Sequence, residues 1–503
     1  MAPSLIDNLH SGDPLYSADQ VRELDRRAIV DEGISGAVLM KRAGRAAFEH
    51  ACLTWPEVRT WVVLCGAGNN AGDGYVFAAL AAQKQHSVTL YHLCPPDQLK
   101  GDAKAAADYA LQESVPMRAF EPSLAPPTDA VLVDALLGTG LHGAVRPDYA
   151  AAIDWINRAA LPVLALDLPS GLYASTGAAA QMAVEADQTV TFIGNKLGLV
   201  TGRGPALAGQ VTLSDLQVPP QIYDQLPPVA QRVHLTQLLP LLPKRKADAH
   251  KGDFGHVMVV GGELGFGGAA ILAAEAAAFS GAGLVSLTTR SEHVTAALVR
   301  RPELMALGVA SGQELEPHLS RPSHLVIGPG LGRTPWSEQM LQQVLKSGQP
   351  LVLDADALNI LAAGRLTLPQ QGQWVLTPHP GEAARLLGIG TAEVQQDRPA
   401  AVVRLQQKFG GVVLLKGAGT LICDGTRTLV AGAANPGLAT GGSGDILSGL
   451  IGGLMAQGLS PLDAAALGVC LHSEAAALAV EETGVAGLQA SELLPYIREL
   501  MRP

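Results

Sequence analysis

Aromatic residues make up only 4% of this chain and charged residues 16%, and it has just five cysteines. So few aromatic rings leave little to stack against unpaired bases. The 46 acidic side chains outnumber the 35 basic ones, and a formal charge of −11 opposes a phosphate backbone. One local basic cluster, Lys244, Arg245 and Lys246, reads as a solvated linker end. Cys52, Cys65, Cys94, Cys423 and Cys470 are scattered, with no Cys-x-x-Cys pair and no Cys/His spacing of the kind that holds zinc. Reduced thiols in a cytoplasmic protein are the expectation. Met1–Ser11 has no basic stretch followed by an apolar core, so no secretory leader is expected there. The longest weakly charged stretch, between Asp445 and Asp463, is broken by Gly, Ser and Gln and is not expected to span a bilayer. Also missing is any Gly-x-x-x-x-Gly-Lys-Ser/Thr loop, which excludes a P-loop enzyme. What remains is a soluble protein working on small molecules, with neither nucleic acid nor membrane as partner.

What is present is length, glycine and alternation. At 503 residues, with 56 Gly and 33 Pro, the chain exceeds one ordinary core. Short β-branched runs alternate with Gly-rich turns and Ala/Leu-rich segments, the rhythm of parallel strands joined by crossover helices. Ser17 and Gln20 are spaced as a capping box before a first helix. Strands are predicted at Trp61–Cys65, Val88–Leu93, Val131–Asp134, Val163–Asp167, Thr189–Ile193 and Val211–Leu213. A loop is predicted over Gly66–Gly74, with a helix from Tyr75 to about Gln85. Pro219, Pro220, Pro227 and Pro228 interrupt the pattern, giving α/β domains over residues 1–222 and 223–503. The second series runs His256–Val260, Leu284–Thr288, Leu325–Gly328, Leu351–Asp354, Trp374–Thr377 and Val412–Lys416. A hairpin of Thr420–Cys423 and Thr428–Val430 then turns at Asp424-Gly425.

Three strand ends in the first half carry an aspartate beside Gly or Ser: Gly66–Gly74 (GAGNNAGDG), Asp134–Gly143 (DALLGTGLHG) and Asp167–Gly171 (DLPSG). Open parallel sheets bind ligands at such ends, and helix N-termini there favour phosphate. Together these segments resemble the amino-terminal domain of the YjeF family, the NAD(P)H-hydrate epimerases, over roughly residues 10–220. The resemblance implies a Rossmann-like three-layer domain. It implies that Asn69, Asn70, Ala71, Gly72 and Asp73, with Gly138, Thr139, Gly140, Leu141, His142, Gly143 and Ala144, hold the hydrated nucleotide. It also implies a potassium ion among Asn70, Asp134 and Ser170, and contact between Asp167 and the substrate near its reacting carbon. Ala71 stands where the family usually has glycine. Epimerising a hemiaminal carbon needs proton transfer, and Asp167 is the expected acid–base group.

The strongest motif is Asn435–Asp445 (NPGLATGGSGD), followed by a Gly/Ala-rich helix. Backbone N–H groups of Gly441–Gly444 would form an anion hole, with Asp445 placed to take a proton from an attacking hydroxyl. The motif is similar to that of ribokinase-like proteins. Lys251–His256, the Gly261-Gly262 turn, Asp354–Asn359, Leu376–Glu382 and Lys416–Thr420 extend the resemblance to the carboxyl-terminal YjeF domain, an ADP-dependent NAD(P)H-hydrate dehydratase, over roughly residues 232–500. That implies AMP contacts from Lys416, Gly417, Ala418, Gly419, Thr420 and Gly444. It implies hydrate contacts from His379 and Asp445, with Ala270 and Gly330 nearby. Asp354 and Asp356 are also compatible with capping and bracing a turn.

The implied function is metabolite repair. One domain interconverts the R and S forms of hydrated NADH or NADPH, and the other dehydrates the S form with ADP and magnesium, giving AMP and phosphate. The resemblance further implies a homo-oligomer. The rival reading is a ribokinase-like small-molecule kinase carrying a non-catalytic amino-terminal binding domain. It predicts a stable phosphorylated alcohol rather than recovered NADH.

Overall fold

The computed structural model describes residues 12–369 and 372–502; Met1–Ser11 lies outside them. There are two compact units, one of Pro14–Ala230 and one that joins Asp13 to the residues from Gln231 onward. The parting falls just past Pro227 and Pro228.

The first unit is built on seven parallel strands in the order Met117–Ala119, Ser87–His92, Thr60–Cys65, Val131–Ala135, Val163–Leu166, Gln188–Phe192, Gln210–Ser214. Helices cover both faces, which is why its strands read as unbroken apolar runs. Trp61, Val63 and Cys65 face a core shared with helices Gly36–Thr54, Asn69–Gln83 and Gly101–Gln112. Val62 and Leu64 face the opposite way, against helix Pro147–Arg158. The chain runs outward from Thr60–Cys65 on one side and returns to Val131–Ala135 on the other, so the strand order reverses between those two. Ligands in open α/β sheets bind at such a reversal. Helix Ala18–Val30 begins with the expected capping box of Ser17 and Gln20.

One expectation is corrected here. Helix Asn69–Gln83 starts at Asn69, not Tyr75, so the loop after Thr60–Cys65 is only Gly66–Gly68. Gly72 and Gly74 read as loop residues, but their use is close packing. A Cβ on Gly72 would run into Met40 Sδ, and one on Gly74 would lie 2.5 Å from Ala135 Cβ.

The second unit has the strand order Met305–Gly308, Leu284–Thr289, His256–Val260, His324–Ile327, Leu351–Leu353, Trp374–Leu376, Val412–Leu415, Thr420–Cys423, Thr428–Ala431. The first seven are parallel and the last two pair antiparallel, including the hairpin turned at Asp424-Gly425. Its order reverses between His256–Val260 and His324–Ile327, placing the Gly261-Gly262 turn and Gly328–Gly330 at that point. Helix Ser443–Ala456 packs tightly on helix Gly267–Phe279, because a Cβ on Gly449 would collide with the Ala273 carbonyl. The edge strands Met117–Ala119 and Met305–Gly308 were not predicted; both are short, and only one neighbour supports each. Helix Pro461–Thr483 is long and apolar enough to cross a membrane by length and composition, yet 72% of its apolar window is buried inside this unit.

Candidate active sites

In the first unit a cleft of about 430 Å³ opens at the reversal point, with Asn70, Asp73, Gly138, Asp167 and Lys196 among its lining. Asp167 follows strand Val163–Leu166 with φ +67°, a left-handed conformation uncommon for a residue with a side chain. Its carboxylate pairs with the ammonium of Lys196, which has no exposed side-chain surface. Lys196 is further fixed by Thr191 Oγ1 at 2.8 Å and the Phe192 carbonyl at 2.9 Å. Two more aspartates feel the same charges. Burial and the charges of Asp167 and Asp25 push Asp73 well above the carboxylate range against the pull of Lys196. Burial, opposed by Lys196 and reinforced by Asp167, pushes Asp25 up to about 6.

Beneath the cleft, Asp134 and Ser170 are joined. Ser170 Oγ donates to Asp134 Oδ1 at 2.6 Å and the Ser170 amide donates to Oδ2 at 2.8 Å. Full burial outweighs these bonds and pushes Asp134 up to about 6. Both polar atoms of the Asn70 amide are buried without a hydrogen-bond partner, an expensive state for a protein group lacking a ligand. A Cβ on Gly138 would lie 3.3 Å from Asn70 Cβ and 3.4 Å from Asp167 Oδ2, so glycine is what lets these two side chains approach.

The Ala71 methyl is wholly buried in the core, and Gly72 packs on Met40. His142, Gly143 and Ala144 are exposed and are not part of the cleft lining. His142 instead lies 3.2 Å from Arg22 Nη1 at the rim, and the Gly143 carbonyl accepts from Tyr173 Oη at 2.6 Å. Asn69, Thr139, Gly140 and Leu141 do line the cleft.

In the second unit, the glycine loop turns at Gly442 with φ +90° and helix Ser443–Ala456 starts at once, presenting Asp445 in its first turn. Lys416, at the end of strand Val412–Leu415, places its ammonium 2.8 Å from Asp354 Oδ1. A Cβ on Gly444 would sit 3.2 Å from that same Nζ, so the strand-end lysine and the loop meet only because residue 444 is glycine. Burial would discharge Lys416, but Asp354, Glu382 and Asp445 outweigh it and raise its pKa. Asp445 is pushed up to about 7 by burial and by the charges of Asp354, Asp356 and Glu382, against Lys416. Asp354 occupies a helix N-cap position, yet its side chain makes no cap bond and turns to Lys416. Asp356 is the bracing residue, accepting from the Gly332 amide at 2.9 Å.

His379 caps helix Pro380–Leu387, its Nδ1 accepting from the Gly381 amide at 3.0 Å. Burial, Lys416 and Arg385 lower its pKa. Burial, the largest effect, pushes Glu382 up to about 7. Thr420 Oγ1 donates to the Gly417 carbonyl at 3.0 Å, shaping the turn that also holds Ala418 and Gly419. Ala270 has no exposed surface and packs under the Gly261-Gly262 turn; Gly330 is partly exposed beside Phe266.

Comparison with known proteins settles what these two sites belong to. A family model described as NAD(P)H-hydrate dehydratase matches residues 257–499, and one described as YjeF-related protein N-terminus matches residues 36–198. The chain is 48% identical to the bifunctional NAD(P)H-hydrate repair enzyme of Coxiella burnetii, covering 97% of this chain and 99% of that one. It is 40% identical to the Escherichia coli enzyme of that name, covering 97% and 94%. This chain belongs to the bifunctional NAD(P)H-hydrate repair enzymes. Among solved structures, a ribokinase-like superfamily protein of Enterococcus faecalis is 31% identical with a TM-score of 0.50, covering 54% of this chain and 94% of that one. The first unit therefore carries the epimerase domain and the second the dehydratase domain.

Sequence reasoning about this repair enzyme missed Asp25 and Lys196 in the epimerase domain and Glu382 and Arg398 in the dehydratase domain. Glu382 was visible as the third residue after the cap His379. Arg398 is buried and donates to the Leu415 and Lys416 carbonyls at 3.2 and 3.3 Å, which steadies the strand end that presents Lys416. Nothing local marks it.

Proposed function

We propose that the dehydratase site activates the hydrate by phosphorylation, with Asp445 as the base. The observation that supports this reading most is the meeting of Asp445, Lys416 and the Gly444 backbone at the start of one helix. Asp445 takes the proton from the C6 hydroxyl of the S-hydrate, and that oxygen attacks the terminal phosphorus of ADP as the bond to AMP breaks. Lys416 and the backbone N–H groups from Gly441 to Gly444 face the charge that develops on the phosphoryl oxygens. The ring nitrogen then expels phosphate, C5 gives up a proton, and NADH or NADPH returns. Magnesium, when bound with ADP, supplies neutralising charge to the phosphates; a site with several carboxylates and a single lysine suits a metal–nucleotide complex. In this reading His379, held neutral, and Gly330 serve the hydrate, while Lys416 to Thr420 take the AMP part.

In the epimerase domain, Asn70, Asp134 and Ser170 are the residues that would hold potassium. The partnerless Asn70 amide fits such an ion, which would supply positive charge beside the nucleotide. Asp167, oriented by Lys196, transfers a proton at the oxygen on C6. Asn69, Asn70, Asp73 and Gly138 to Leu141 line the nucleotide's place.

The test is dehydration of resolved S-hydrate with ADP and magnesium across pH. A base with a pKa of about 7 must be ionised, so single-turnover dehydration falls as pH drops below about 7. Asp445→Asn lowers it by roughly 10²–10⁴ and abolishes that limb. An Asp445→Asn enzyme within a few-fold of the parent removes Asp445 from the chemistry. A stable phosphorylated product instead of recovered reduced-nicotinamide absorbance favours the kinase.

A further inference from the structure

Epimerisation poses a problem that one acid–base residue does not solve. The two hydrates carry their C6 oxygen on opposite faces of the ring. A carboxylate fixed beside one face reaches the oxygen of only one epimer. With the ring held in one orientation, interconversion of both calls for a proton-transfer group at each face, or a side chain free to travel between them. Asp167 is not free to travel. Its backbone is in a left-handed conformation, its amide donates to the Val190 carbonyl at 2.8 Å, and its carboxylate is paired with a wholly buried lysine.

A second group is present in the same cleft. Asp25 projects from helix Ala18–Val30, an element separate from the strand end that carries Asp167, and both line the cleft. Asp25, Asp73 and Asp167 share the one ammonium of Lys196, and Arg22 and Asp102 also line the cleft. Asp73 is nine-tenths buried in the first turns of helix Asn69–Gln83, whereas Asp25 keeps partial access to solvent. The partnerless Asn70 amide in the same lining marks the cleft as a place where a ligand is expected.

We propose that Asp25 is the second catalytic acid–base group of the epimerase site, serving the ring face that Asp167 does not. This rests on the epimerase reading of the cleft. In one direction the Asp25 carboxyl protonates the C6 hydroxyl and the C6–O bond breaks, releasing water. The N1 lone pair forms the N1–C6 double bond of an iminium ion. Water adds to C6 from the other face, its proton passes to Asp167, and N1 recovers its lone pair. The reverse direction exchanges the two roles, and solvent returns the proton between turnovers. Burial gives Asp25 a pKa of about 6, so roughly one side chain in ten carries the proton at pH 7, far more than for an ordinary aspartate, while Asp167 is paired with Lys196.

The experiment uses the full-length enzyme without ADP, each resolved epimer of hydrated NADH, and water enriched in heavy oxygen. The parent interconverts the epimers and introduces heavy oxygen into both. That result secures the epimerase reading independently; a parent that does neither sinks that reading instead. Asp25→Asn is expected to lower interconversion by at least about a hundredfold, the scale of a lost acid–base group. It still washes heavy oxygen into one epimer, the one whose face Asp167 serves. Asp167→Asn shows the opposite preference, and Asp25→Glu restores part of the interconversion. Recovery of S-hydrate by the ADP-dependent site, unchanged in Asp25→Asn, shows that the protein is intact. Interconversion by Asp25→Asn within threefold of the parent overturns the proposal, as does loss of heavy-oxygen exchange from both epimers, which is the mark of a residue that only shapes or binds.

Discussion

Asp445 shows most directly what a functional position costs the fold. Its carboxyl is pushed up to about 7 because burial and the nearby Asp354 disfavour its charge, with only Lys416 opposing. A folded pKa above the unfolded one means that the native state retains a proton the unfolded chain has already released. This contribution therefore falls as pH rises from the ordinary aspartate range to about 7, then stays constant above it. Asn keeps the shape and carries no charge. Asp445→Asn is expected to raise stability at pH 8 by about 2 kcal/mol, discounted for partial solvation, or roughly 4–8 °C in melting temperature. Near pH 4 the two proteins should melt together. A variant melting at or below the parent at pH 8 contradicts the electrostatic picture of this site.

Among the elements, the helices that carry the loops are positioned by small residues. Helices Gly267–Phe279 and Ser443–Ala456 approach so closely that Gly449 abuts the Ala273 carbonyl, and a Cβ on Gly453 would meet Ser280 Oγ. That contact fixes where Asp445 is presented. Gly449→Ala has backbone, not a flexible side chain, in its way, and is expected to destabilise by roughly 1–3 kcal/mol, the usual cost of overpacking. The measurement is a denaturant midpoint, and no change would show that the helices can separate freely. Much of this layout was legible in the sequence. Strands such as His256–Val260 are apolar, β-branched runs buried on both faces. The start of helix Asn69–Gln83 was not legible, because Gly72 and Gly74 look like loop residues until their neighbours are known. The motif aspartates Asp134, Asp167 and Asp445 were readable as strand-end or loop-end residues. Lys196 and Asp25 were not, because their meaning comes from pairing with Asp167 across 29 positions in one case and from sharing that charge in the other.

For the molecule as a whole, two sites on one chain make a complete repair cycle out of two incomplete activities. A dehydratase that accepts one epimer leaves the other unrepaired, and spontaneous exchange then limits recovery. The epimerase domain removes that limit by flux alone. The most direct measurement is the final yield of reduced nicotinamide from an epimer mixture of known composition, supplied with excess ADP, magnesium and potassium. The parent enzyme is expected to recover the entire pool in one continuous phase. Asp167→Ala is expected to stop at the S fraction and then creep at the spontaneous rate, and Asp445→Ala to recover nothing while still equilibrating the epimers. Full and rapid recovery by Asp167→Ala, or any ADP-driven recovery by Asp445→Ala at the parent's rate, would contradict this repair cycle.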